Sequence, residues 1–161
     1  MIDVSQLESF ASKMEQAATG LKPFMREVLD DAGEEFLDIV QDEIMNAGNV
    51  DTRLLLSSFK KGSGNGVYEL DLGALTLTVG TRVEYAKWVN KGHSQKPGRF
   101  VPGVWSGDRF VYIPGARTGM VLKASAVRGS HFFDKSVEVL ERMFPEMAQS
   151  AFEQFFSRYF S

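Results

Sequence analysis

The sequence predicts an α+β fold. A small antiparallel sheet, built from a hairpin over 67–80 and two further strands near 109–113 and 119–124, packs against long helices over 22–47 and 130–159. Three observations predict it. Apolar residues recur every three or four positions through 22–47, and do so again through 130–159. Between these stretches, residues 67–80 alternate apolar and polar around turn-forming residues.

The first element is a helix over 3–19, with Leu7, Phe10 and Met14 on one face and Gly20 as its stop. Pro23 then suits the first turn of the helix over 22–47. Val28, Leu29, Ala32, Phe36 and Ile44 form the apolar stripe of that helix, and Gly48 ends it. Asp51 or Thr52 is placed to cap a short helix reaching residue 58. Lys60–Gly66 is too rich in glycine to be anything but a loop. In the hairpin, Tyr68, Leu70 and Leu72 face one way and Val67, Glu69 and Asp71 the other, with Gly73-Ala74 as a two-residue turn. Glu84–Asn90 reads as a short helix stopped at Gly92. Residues 92–108 hold four Gly and two Pro without a period, so a long loop is expected there. Phe133, Val137 and Leu140 are in phase on the last helix, which Pro145 kinks or restarts. The expected organisation is one α+β domain over 1–144, with a mobile basic loop at 93–128, and an aromatic C-terminal helix over 145–161.

Length and composition bound the function. At 161 residues and 43% hydrophobic, the chain can bury a core without staples. It has no cysteine, which removes disulfides, thiolate metal sites and cysteine nucleophiles and suits a reducing compartment. Two histidines, His93 and His131, cannot make a three-histidine zinc site. No apolar run approaches the roughly 18 residues a membrane span needs, and Met1-Ile2-Asp3-Val4 lacks the start of a secretory signal. No membrane partner is expected.

The net charge of −3 hides a segregation. Nine acids and no Lys or Arg lie between Glu27 and Asp51, while nine basic residues and only Glu84 and Asp108 lie between Arg82 and Arg128. Three readings stay open. The runs neutralise each other or face solvent within one fold. Alternatively, the acidic face of one subunit (Glu34, Asp38 and Asp42) meets Arg82, Lys87, Lys91, Arg99, Arg109, Arg117 and Arg128 of the next. In the third, the basic segment meets DNA phosphates, with Trp88 and Trp105 stacking on bases. The C-terminal helix has a comparable ambiguity. Six aromatics in 17 residues, among them Phe152, Phe155, Phe156 and Tyr159, either complete the core or form a docking stripe for a partner.

Catalytic constellations are absent. There is no phosphate-binding loop, since Gly62-Ser-Gly-Asn-Gly66 lacks the Lys-Ser/Thr, and there is no Gly-x-Ser-x-Gly. His93, Ser94 and Asp108 share one stretch, which is the slender basis for a hydrolase reading. Glu34, Asp38 and Asp42 on a straight helix are a poor cradle for Ca²⁺ or Mg²⁺, whose oxygen ligands need irregular backbone. No catalytic, metal or cofactor site is expected, and the balance favours a non-enzymatic interaction protein.

Three segments carry a family resemblance. They are Val50-Asp-Thr-Arg-Leu-Leu-Leu-Ser-Ser-Phe59; then Val79-Gly-Thr81 followed by Glu84-Tyr-Ala-Lys-Trp-Val-Asn-Lys-Gly-His93; and Gly129-Ser-His-Phe-Phe133 running into Lys135-Ser-Val-Glu138. Together, over roughly 49–141, they resemble the Hong Kong 97 type tail-component family of tailed bacteriophages and prophages, whose members are neck or tail-completion proteins. The family pattern Thr-Gly-x-Leu is altered here, since Arg53 stands where the glycine is usual. The resemblance implies a small α+β virion protein that joins head and tail, and that assembles in the host bacterial cytoplasm as a ring with its own copies and with head, neck or tail proteins, without cofactor. Contact with DNA in transit is compatible with it. Within the motif, Tyr85, Trp88 and Val89 are expected to dock the short helix on the hairpin. Gly92 then breaks the helix before His93, and Phe132 and Phe133 return the chain to the core.

Overall fold

The structure is a computed structural model that describes residues 4–48 and 53–160. It contains two compact units: Met1–Ala86 together with Phe132–Ser161, and Lys87–His131. The boundary expected at 144/145 instead falls inside a continuous helix.

The first unit is built on helix α1 (Val4–Asn46), about 65 Å long. It replaces the two helices expected from Gly20 and Pro23, both of which lie inside it. A mid-helix glycine costs about 1 kcal/mol and a proline about 3. Packing against α4 (Phe132–Phe160) offsets both. Phe24 stacks on Phe155 with ring centroids 4.4 Å apart and meets Phe152 edge-on at 4.9 Å. Gly20 is therefore a contact glycine and not a stop, because a Cβ there would strike the Tyr159 hydroxyl. Helix α4 also runs unbroken through Pro145. At its other end Phe132 and Phe133 meet Phe59, and Phe133 meets Phe36 edge-on at 5.4 Å. Leu55, Phe59, Phe132, Val40 and Ile44 are buried.

Helix α2 (Leu54–Ser58) begins as expected, although Asp51 and Thr52, its expected caps, lie outside the described residues. Its buried Ser58 is fully partnered, since its hydroxyl donates to Leu55 O and accepts from the Thr81 hydroxyl, both at 2.7 Å. The hairpin pairs β1 (Gly66–Asp71) with β2 (Thr76–Thr81) in antiparallel register, Tyr68 opposite Val79 and Leu70 opposite Leu77. Its turn spans four residues, Leu72–Leu75, and not the expected two. The Asp71 carboxylate accepts from the N–H groups of Gly73 and Ala74, and Leu75 takes a φ of 53°. That closure fixes the longer loop.

The second unit was expected to be mostly loop, yet carries five strands. It begins with α3 (Ala86–Lys91), whose first residue belongs to the other unit, and β3 (Gly92–Ser94), which pairs antiparallel with β7 (Ala126–Arg128). A separate three-stranded sheet has the order β5-β4-β6, with β4 Phe100–Ser106, β5 Arg109–Tyr112 and β6 Gly119–Val121. The expected strands near 109–113 and 119–124 are thus present, but they flank an unforeseen central strand. They form a sheet apart from the 67–80 hairpin. Pro102 and Gly103 masked β4, since they read as breakers. The Phe110 ring lies across Gly103 and the Phe100 ring across Gly119, each aromatic covering a glycine on the neighbouring strand.

Candidate functional site

The acidic face of α1 is only partly available. From the loop before β1, Lys61 Nζ reaches both Asp30 carboxylate oxygens at 2.8 Å and Glu34 Oε1 at 2.7 Å. Tyr68 Oη donates to Asp30 Oδ1 at 2.6 Å. The hydrogen bonds from Lys61 and then Tyr68 hold the Asp30 carboxyl below its ordinary value. Those to Asp30 and then Glu34 hold the Lys61 ammonium above its own. Burial, reinforced by Asp30, pushes the Tyr68 phenol up. Glu34 is therefore spent on an internal pair. Asp38 and Asp42 are exposed, with no ion pair to another described residue. Lys61 was missed as a partner because a glycine-rich loop gives no register by which to place it.

On the basic side, Arg82 also turns inward. Its Nη1 donates to Gly66 O at 2.8 Å, and its Nη2 lies 3.6 Å from Glu69. Lys87, Lys91, Arg99, Arg109, Arg117 and Arg128 are exposed in the second unit. In the same unit Phe100, Val104, Trp105, Tyr112 and Val121 of the three-stranded sheet are exposed as well. Trp105 meets Phe110 edge-on at 5.4 Å.

The motif residues meet in space. The backbone of Gly92, at φ 77°, lies so close to Val127 O and the Gly129 N–H that no Cβ fits. Gly129 is likewise pressed on Asn90 O. Ser130 N–H and hydroxyl donate to Val89 O at 3.0 and 3.2 Å, and His131 N–H donates to Asn90 O at 2.9 Å. The second and third motif segments are thus two halves of one backbone crossing. Trp88, expected as an anchor, is 53% exposed, and its ring meets His93 edge-on at 6.2 Å. Tyr85 is half-buried and Phe132 fully buried. Of the C-terminal aromatics, Phe155 is buried and Phe152 and Tyr159 partly so, while Phe156 is exposed.

The first unit also holds an open apolar groove of about 500 Å³ that the sequence did not announce. Leu29 and Phe36 of α1, Leu77 and Val79 of β2, and Leu140 and Phe144 of α4 line it, with Glu141 at its rim. Only the alternation at Leu77 and Val79 hinted at it. Among the described residues no group of three or more His, Asp or Glu is arranged to hold a metal ion, and no helix is long and apolar enough to cross a membrane.

Residues 8–92 match the family model described as bacteriophage HK97-gp10, tail-component. That match takes in the first motif segment and the second up to Gly92, and leaves His93 and the third segment, at 129–138, beyond it. Two Bacillus subtilis (strain 168) proteins are similar along nearly their whole length. The uncharacterized protein YqbI is 40% identical over 156 residues, covering 92% of this chain and 93% of its own. The phage-like element PBSX protein XkdI is 35% identical over 160 residues, covering 96% and 98%. No solved structure matches. The chain belongs to the HK97-gp10-like tail-component family of bacteriophages, a family of structural phage proteins and not an enzyme class.

Proposed function

We propose that this protein joins head to tail in a tailed phage or prophage virion, as a ring-forming neck or tail-completion subunit assembled in the host cytoplasm. The observation that carries the reading is the division of charge between the two units. Lys87–His131 holds eight basic residues against Asp108 alone, a net of +7, which leaves −10 on the rest of this −3 chain. Two complementary patches on one chain favour a heterologous contact, in which copy after copy joins head to tail until the rotation closes. In this reading the basic unit of one subunit, with its exposed aromatics, seats on the acidic, solvent-facing side of α1 of the next. The contacting acids are Asp38 and Asp42, while Glu34 stays with Lys61. The basic segment 93–128 moves in the free chain and is fixed by its neighbour. Nothing in the role calls for catalysis or a cofactor.

The test is a charge swap. Asp38→Lys with Asp42→Lys leaves the monomer folded and abolishes salt-sensitive ring assembly and head–tail joining. Adding Arg99→Glu and Arg117→Glu restores them in part. Normal particles from the acidic-face variant alone overturn the reading.

A second reading has its own support, because Trp88 and Trp105 are both exposed among the basic residues. In it, the basic unit contacts DNA passing through the ring. A gel-shift titration separates the two readings. Tight binding by the isolated chain, falling steeply with salt, supports DNA contact.

A further inference from the structure

The outer half of α1 carries an apolar stripe that serves no purpose inside the chain. Val4, Leu7, Ala11, Met14, Ala18 and Leu21 follow one another at spacings of three, four, three, four and three. This is the two-position repeat of a coiled-coil seam, about 27 Å long. The face beside it is already used: Phe10 meets Phe160 at 6.0 Å, and Ala17 and Phe24 join the core with Phe155. The seam itself is bare. Val4 and Leu7 are each 64% exposed, Met14 50% and Leu21 43%, and both alanines are exposed. Past Leu21 the same line enters the core at Met25 and Val28. Glu8, Glu15 and Lys22 border it with charge.

The sizes along the seam name the occupant. One position of the repeat holds the smaller residues (Val4, Ala11, Ala18), and the other holds the larger ones (Leu7, Met14, Leu21). In a parallel pair, like faces like, and Ala11 and Ala18 would meet their own copies across a void. In an antiparallel pair each position of one sort faces the other sort. Leu7 then lies against Ala18 of the second copy, Met14 against Ala11, and Leu21 against Val4. Every large side chain meets a smaller one, and the same patch serves both copies, as a two-fold contact requires. We propose that the seam binds a second copy of this chain as an antiparallel helix pair. The proposal is independent of the ring reading, which uses other faces.

The absence of cysteine makes the test clean. Leu7→Cys and Ala18→Cys variants of the full chain are oxidised under mild conditions, separately and mixed. The mixture is expected to give a disulfide-linked dimer, and each variant alone none, because like positions lie about 16 Å apart along an antiparallel pair. Met14→Glu is expected to abolish the crosslink of the mixed variants while leaving the thermal melt unchanged. Crosslinking of Leu7→Cys with itself, or no crosslink in the mixture, overturns the proposal. Ring assembly that survives Met14→Glu leaves the ring reading standing and shows the two contacts to be separate.

Discussion

Tyr68 Oη donates to Asp30 Oδ1 at 2.6 Å, and the same carboxylate accepts from Lys61. This joins the hairpin, the loop before it and the long helix at one point. Tyr68→Phe removes the donor and leaves the ring. About 1 kcal/mol of stability is expected to go, allowing for an Asp30 side chain that is 36% exposed. The pH dependence follows from the direction of the shift. Asp30 is held below its ordinary 3.8, so its contribution is present above that value and is lost as pH falls through the lower folded value. Tyr68 is held above its ordinary 10.0, so its contribution is present below pH 10 and is lost as pH rises beyond. Urea melts of wild type and Tyr68→Phe should therefore differ at pH 7 and converge as pH falls through the lowered Asp30 value. An undiminished difference in acid would contradict the role of the carboxylate.

Gly92 and Gly129 permit one backbone crossing. At Gly92 an alanine meets two obstacles, a φ of 77° and a Cβ aimed at Val127 O and the Gly129 N–H. The first alone costs about 1–2 kcal/mol. Gly92→Ala is expected to destabilise by at least about 2 kcal/mol. Gly129→Ala, blocked by Asn90 O, has no positive φ among its penalties and should cost somewhat less. Amide exchange at Ser130 and His131, whose N–H groups donate to Val89 O and Asn90 O, reports the opening directly. Wild-type protection in both variants would show that the crossing tolerates a side chain.

The sequence was legible where one physical signal dominated. The stripe through Val28, Ala32 and Phe36, the alternation at Tyr68 and Leu70, and the stop at Gly92 each follow from local periodicity or sterics, and each is present. It was illegible where tertiary contact overrode local preference. Gly20 and Pro23 read as punctuation, but the Phe24–Phe155 stack carries the helix through them. Strand β4 hid behind Pro102 and Gly103, whose cover, the Phe110 ring, comes from the next strand. In the candidate site, the charge segregation could be read from residue order alone. The diversion of Glu34 to Lys61 and of Arg82 to Gly66 O could not, because those partners come from loop and hairpin geometry.

Arg53 precedes α2 with φ 53° and ψ −10°, a left-handed conformation that glycine adopts freely. The position is the one where the family resemblance of the sequence implies glycine. No side-chain hydrogen bond caps the helix from Arg53. Arg53→Gly relieves the backbone penalty and gives back part of the gain as unfolded-state entropy. A net stabilisation of about 0.5–1 kcal/mol is expected, read as a Tm rise of a few degrees. A fall in Tm would mean that the guanidinium makes a contact worth more than the strain.

Phe155 and Phe156 are adjacent on α4 and have opposite environments. Phe155 is 4% exposed, stacked on Phe24 and edge-on to Tyr159 at 5.2 Å. Phe156 is 49% exposed. Truncating the first opens a cavity in the contact between α1 and α4, so Phe155→Ala is expected to cost about 3–4 kcal/mol. Phe156→Ala removes a side chain that is half in water already, and should cost under about 1 kcal/mol. The pair thus separates the two roles offered by the aromatic stripe. If Phe156 anchors a partner, Phe156→Ala retains a near wild-type melt and loses joining of head to tail. If joining also persists, the C-terminal aromatics serve the core alone.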